Sequence, residues 1–200
     1  MITPDYSTEA APQTRERLIQ TMIHLLQTRG LHGAGLSELL ALAQAPKGVL
    51  YHHFPGGKTA LAVAAVEATV AWSCNKLDEY LGDGADVGQA LGMWIERAQR
   101  GLHGSGFERG CPLAAVALES TPADTELRAA LAAAFQAIRE RLALGLQRNG
   151  QTPAAAQGLA ALIVATYEGG LLQARVANDT APMAQATAAL LALLKEKEQK

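Results

Sequence analysis

Residues 36–58 read LSELLALAQAPKGVLYHHFPGGK, and their spacing decides the fold. Leu36, Leu39, Leu40 and Ala43 share one face of a short helix, for which Gly35 is an acceptable cap, though weaker than Ser or Thr. A tight turn follows around Ala43-Gln44-Ala45. Pro46 can occupy the first turn of the next helix, where its missing N–H costs nothing, and Pro55-Gly56-Gly57 stops that helix at about Phe54. Leu50 anchors it inward, while Val49, Tyr51 and His52 are presented outward with Lys47 and Gly48. A short supporting helix, a turn and a short second helix with a polar outer side make a helix-turn-helix, whose second helix can enter a major groove.

Upstream, Leu18, Met22, Leu25 and Leu26 recur at i, i+4, i+7 and i+8, with Ile19 and Ile23 widening the stripe. This predicts an amphipathic helix from Thr14 to Arg29, ended by Gly30. The opening MITPDYSTEAAPQ is polar and holds two prolines, so residues 1–12 are expected to be a disordered tail. It lacks the basic and then apolar order of a secretion signal.

Downstream, one helix starts near Lys58 and carries Leu61, Val63, Ala65, Val66, Val70 and Trp72 until Gly82 and Gly84 break the pattern. Others are expected over about 86–102, 112–119, 122–148, 153–176 and 182–197, with the loop HGSGFERG at 103–110 and breaks at Asn149-Gly150 and Asn178-Asp179. No segment alternates with period two, so the fold class is all-α, with about nine helices. A three-helix unit occupies 13–57 and a larger helical unit 58–200. The run AAAQGLAALIVATYEGGLL at 154–172 is apolar around most of its circumference, which suits a helix buried on two sides, as in a subunit interface.

Composition narrows the function. The hydrophobic share is 49% but aromatics are only 4%, and the formal net charge is -2, so any contact with nucleic acid must be local. Residues 1–58 carry five Lys/Arg against four acids, with four of the five histidines. Cys74 and Cys111 form no CxxC pair and suggest reduced thiols in a cytoplasm. No stretch reaches roughly 18 uninterrupted apolar residues, so no membrane span is expected. No GxSxG, HExxH, phosphate loop or dinucleotide fingerprint is present, which speaks against an enzyme and against a cofactor. Adjacent His52 and His53 point about 100 degrees apart on a helix and have no third ligand nearby, so no metal site is expected.

Each residue of the second helix suits a task on DNA. Lys47 and Lys58 can neutralise phosphates, and the Tyr51 hydroxyl and a ring N–H of His52 can donate to phosphate oxygens. Gly48 permits close backbone approach, and Val49 offers a methyl surface to a thymine methyl. The plain alternative is a helical hairpin with an idle Tyr-His-His patch. A helical carrier of hydrophobic ligands that never touches DNA is another, but it has no reason to expose Lys47, Tyr51 and Lys58 together.

PKGVLYHHFPGGK resembles the signature of TetR-family repressors, and its Pro-Lys-Gly start and Pro-Gly-Gly-Lys finish resemble the LmrA/YxaF branch of that family. GCPLAAVALES at 110–120 and GGLLQARV at 169–176 are similar to two further segments of that branch. The resemblance implies DNA contacts from Ser37, Pro46, Lys47, Gly48, Val49, Tyr51, His52 and Lys58. Two positions depart from the pattern: Gln44 stands where Gly is usual, so it must adopt a left-handed conformation or reshape the turn, and Val49 replaces a small hydroxyl residue.

For residues 58–200 the resemblance implies an effector-binding and dimerisation domain, pairing through the last two helices into a homodimer on a pseudo-palindromic operator of double-stranded DNA. Trp72, Trp94, Phe107, Phe135 and Tyr167, set among Ala and Gly, are candidates to line a pocket for a small apolar or aromatic effector. Cys111, Leu113, Val116, Glu168 and Leu171 are candidates beside them. Cys111 precedes Pro112 at a helix start, where a lowered thiol pKa would make a redox-responsive regulator the alternative reading. Glu168 and Arg175 lie seven apart on one helix face and can pair, orient a ligand or serve an interface.

Overall fold

A computed structural model of the chain describes residues 13–82 and 84–198. The expected tail over 1–12 lies outside the described residues. Among those described there are nine helices and no strand: α1 (Thr14–Gly33), α2 (Leu36–Leu42), α3 (Lys47–His53), α4 (Gly57–Tyr80), α5 (Val87–Gly104), α6 (Pro112–Glu119), α7 (Thr125–Arg148), α8 (Pro153–Ala177) and α9 (Ala181–Glu198).

Local chemistry explains most of the boundaries. Asp86 caps α5 by accepting the Gln89 N–H at 2.7 Å, Thr152 caps α8 by accepting from Ala155, and Pro112 and Pro153 sit in first turns. Four helices, α2, α5, α7 and α8, close in the same way. A left-handed residue (Gln44, Gly106, Gly150 or Asn178) donates its N–H two carbonyls back from the cap, and the next N–H reaches one carbonyl further, as Ala45 does to Leu40 at 3.0 Å and Asp179 to Ala174 at 3.2 Å. Three of these positions hold the Gly or Asn that such a closure favours. Gln44 is the exception, at φ 49°, so of the two outcomes open to it the strained one is realised.

At the end of α1 the sequence-based boundary is half right. Gly30 breaks the helix with φ 74°, yet one further turn runs on to Gly33. A Cβ on Gly30 would lie 1.8 Å from Glu119 Oε1, so only glycine admits the end of α6 here.

α1 packs on α2, α3, α4 and α6, and α4 continues onto α7, which leads through α8 to α9. α5 lies against α4, α8 and α9. One apolar core runs through both units, from Leu18, Met22 and Leu50 to Leu142, Ile163 and Leu190. The long α4 touches α1 and α7 alike. α8 is long and apolar enough by length and composition to cross a membrane, although its apolar run is interrupted and gives no such expectation from sequence. In the fold its inner face is covered by α7 and α9.

Candidate functional site: a DNA-facing helix and an inner cavity

α3 is held by one side chain. Leu50 is fully buried, and the helix turns Lys47, Gly48, Tyr51 and His52 outward, with Pro46 exposed at its N-cap and Ser37 exposed at the start of α2. Phe54 seals the far end beneath the Arg15 guanidinium, 5.4 Å from the ring centroid. Tyr51 rests on the backbone of Gly57, where a Cβ would come 3.2 Å from its ring, so this glycine, itself at φ 64°, sets the direction of the phenol. Val49 is only half-buried rather than fully outward, and Lys58 is likewise half-buried. Burial lowers the Lys58 pKa and the charge of Glu119 partly offsets this, so Lys58 sits between the outward side of α3 and α6.

A half-open cavity of about 650 Å³ lies between α1 and the helices that follow α3. Its wall is built from helix faces: Gln20, Ile23 and Gln27 on α1, Trp94, Arg97, Ala98 and Gly101 on α5, and Val164, Tyr167, Glu168 and Leu171 on α8 all follow helical spacing. Trp94 and Tyr167 stack with centroids 4.2 Å apart and planes 13° from parallel, and Arg97 lies over Trp72 at 4.8 Å. Of the side chains singled out from sequence, Trp72, Trp94, Cys111, Leu113, Tyr167, Glu168 and Leu171 line this cavity.

Three others do not. Val116 is fully buried in the core, on the α6 that packs against α1, α4 and α7. Phe107 follows the left-handed Gly106 with a positive φ of its own, 64°, and its ring meets His103 edge-on. Phe135 packs against the core from a half-buried position on α7, whose contribution to the wall is Ile138 instead. The sequence reading missed Arg97, Arg109, Thr69, Ser73 and the α1 residues. The i, i+3, i+4, i+7 row through Trp94 on α5 could have found Arg97, whereas nothing local marks α1 as a wall.

Two ionisable groups meet deep in the cavity. The Cys111 thiol and the Glu168 carboxyl are hydrogen-bonded, and Glu168 Oε2 is buried without a partner. Burial pushes the Glu168 pKa up, and the bond from Cys111 offsets this in part. Burial likewise pushes the Cys111 thiol well up and the Glu168 charge adds to that, outweighing the backbone donors of Ala114 and Leu113 at the start of α6. The helix start therefore does not lower the thiol pKa, the shift on which the redox-responsive alternative rests. Tyr167 is also raised by burial, although the cavity leaves part of its ring accessible.

Glu168 and Arg175 do not pair. Arg175 donates from Nε to the Glu108 carbonyl at 3.1 Å and from Nη2 to the Thr28 carbonyl at 3.4 Å. The break at Gly30 leaves carbonyls at the end of α1 open to outside donors, and the Gln27 carbonyl takes the Gly110 N–H at 2.9 Å. Glu119 completes the joint by accepting the His32 N–H at 2.6 Å and approaching His32 Nδ1 at 2.7 Å. The end of α1 is thus tied to α6, to α8 and to the loop that carries Cys111 into the cavity.

Known proteins share this arrangement. Residues 18–65 match the family described as bacterial regulatory proteins, tetR family, and residues 88–189 match the LmrA/YxaF-like transcriptional regulator C-terminal domain. An uncharacterized HTH-type transcriptional regulator of Mycobacterium tuberculosis is 35% identical over 174 residues, 84% of this chain and 88% of that protein. The HTH-type transcriptional regulator LmrA of Bacillus subtilis is 26% identical over 182 residues, covering 91% and 97%. The crystal structure of regulatory protein TetR from Rhodobacter sphaeroides superposes with a TM-score of 0.79 at 25% identity over 89% of this chain and 97% of that one. With a helix-turn-helix in front of a cavity-bearing helical unit, and with both halves matched, the chain belongs to the TetR family of bacterial transcriptional regulators, in its LmrA/YxaF-like branch.

Proposed function

We propose that the chain is a homodimeric repressor that holds a pseudo-palindromic operator through α3 and lets go when a small apolar or aromatic effector enters the 650 Å³ cavity. The observation that carries this reading is the joint at the end of α1, where hydrogen bonds donated by Gly110 and Arg175 to α1 carbonyls, and one accepted by Glu119 from His32, join the DNA-binding unit to the cavity wall. Lys47, Tyr51 and His52, with Ser37 and Lys58 beside them, serve phosphates, and Gly48 and Val49 approach base edges. Residues 13–57 act as the DNA-binding unit and 58–200 as the effector and dimerisation unit. The seat of action is the cytoplasm, where the operator is.

The dimer forms through α8 and α9. Leu162, Leu172, Val176 and Leu193 are exposed on these helices, among Ala and Gly that let two copies approach closely. Two recognition helices then meet successive major grooves roughly 34 to 36 Å apart. An effector that favours a conformation with another spacing, by a few kcal/mol of differential affinity, releases the DNA.

The test is operator binding at several salt concentrations, with Lys47→Ala alongside. The affinity is expected to fall steeply with salt, and the variant to bind more weakly with a slope shallower by about 0.9 per lost phosphate contact. A flat salt response, or a Lys47→Ala chain that binds as tightly as the parent, contradicts the reading.

A further inference from the structure

The wall of the large cavity carries one acid and three bases. Glu168 is its sole acidic side chain, while Arg97, Arg100 and Arg109 reach it from exposed positions. In a chain of net charge -2 this excess of positive charge is local and calls for a counter-charge. Glu96 supplies part of one for Arg100, at 3.4 Å. Arg97 has only the Trp72 face, and among the described residues the Arg109 guanidinium has no ion pair or hydrogen bond. Guanidinium groups placed so bind a carboxylate in preference to a neutral group.

The buried side asks for something else. Glu168 Oε2 has no partner, and an unsatisfied oxygen at that depth is costly unless a ligand supplies one. A hydroxyl both donates and accepts, so it satisfies this carboxyl whether or not it holds its proton. The same wall carries the stacked pair of Trp94 and Tyr167 and the ring of Trp72, an aromatic lining that suits flat rings. About 650 Å³ holds a two-ring molecule with room for water.

We propose that the effector is a hydroxylated aromatic carboxylate, its rings against Trp94, Tyr167 and Trp72, its hydroxyl on Glu168 Oε2 and its carboxylate with Arg97 and Arg109. This rests on the effector reading given above and narrows it to a ligand with two unlike ends.

Calorimetric titration of the full chain with a hydroxylated biphenyl carboxylate, its methyl ester and the carboxylate lacking the hydroxyl tests the assignment. The acid is expected to bind about tenfold or more tighter than the ester, and that advantage to vanish in an Arg97→Ala/Arg109→Ala variant. Both arginines are exposed, so this variant keeps the fold, as circular dichroism can verify. The hydroxyl is expected to add about tenfold in the parent and nothing in Glu168→Leu. The proposal is overturned if the ester binds as tightly as the acid, if the advantage of the acid survives in the double variant, or if a phosphate ester of the same rings outcompetes the carboxylate. Operator release separates the two levels: an ester that binds and loosens the operator while the acid does not defeats this ligand class alone. If no aromatic probe alters operator affinity, both readings fall.

Discussion

At its DNA-facing end the molecule presents Lys47, Gly48, Tyr51 and His52 from the seven residues of α3, over one buried leucine, whereas its cavity draws a wall from six helices and a connecting loop. The first surface can be altered one side chain at a time, because its polar side chains point into solvent and, within α3, only Leu50 is fully buried. The apolar part of the second cannot, because Trp94, Leu113, Ile138 and Leu171 line the cavity and also belong to the buried core. Chemistry displayed on a helix is separable from folding; chemistry enclosed between helices is not.

Removing the anchor should break this separation most severely. Leu50→Ala empties a fully buried position beneath α3 and is expected to cost roughly 2 to 5 kcal/mol, read by chemical denaturation, with operator binding lost as well. A loss of binding at unchanged stability would show that Leu50 does not hold the helix. Gly30→Ala probes the joint between the regions. At φ 74° and ψ -178°, a region open essentially to glycine, an alanine costs about 1 to 3 kcal/mol from its backbone alone, and its Cβ displaces Glu119 from His32. In this variant the effector should lose leverage over operator affinity while still binding in the cavity, which calorimetry and gel shifts separate.

Glu168 sharpens the contrast from the cavity side. Burial raises its folded pKa, so above the ordinary glutamate range the folded chain retains a proton that the unfolded chain has lost. Stability should therefore fall as pH rises from that range through the raised value, and level off beyond it. Glu168→Gln is expected to flatten this fall and to gain on the order of 1 kcal/mol at neutral pH. Thermal unfolding across a pH series checks it, and an unchanged slope would mean that the carboxyl is solvated when folded. The smallest effect belongs to the turn of the DNA-facing end. Gln44→Gly relieves a left-handed backbone and should stabilise by about 0.5 to 1 kcal/mol without touching operator affinity.

Reading the two regions from sequence met with unequal success, for the same physical reason. Helix ends announce themselves through Asp86, Pro112, Gly150, Thr152 and Asn178, because capping and left-handed closure involve residues within a few positions of one another. The inward Leu50 and the outward Lys47 and Tyr51 follow from spacing on a single helix. For the cavity, an aromatic on an apolar helix face looks alike whether it faces a void or a neighbour. Trp94 and Tyr167 lie in the wall, while Phe107 is spent on a turn, Phe135 on the core and Val116 beneath α6.

By itself the chain of residues determined an all-helical protein, the approximate ends of its helices, the buried anchor of α3 and the two conformations open to Gln44, since each depends on hydrogen bonds or periodicities that span a few residues. Only the tertiary structure decided that Arg175 binds the end of α1 rather than Glu168, that Cys111 is buried against a carboxyl, and which side of each helix faces the void. Those outcomes depend on which of several similar apolar faces meet, and that choice is made between segments as far apart as Thr28 and Arg175.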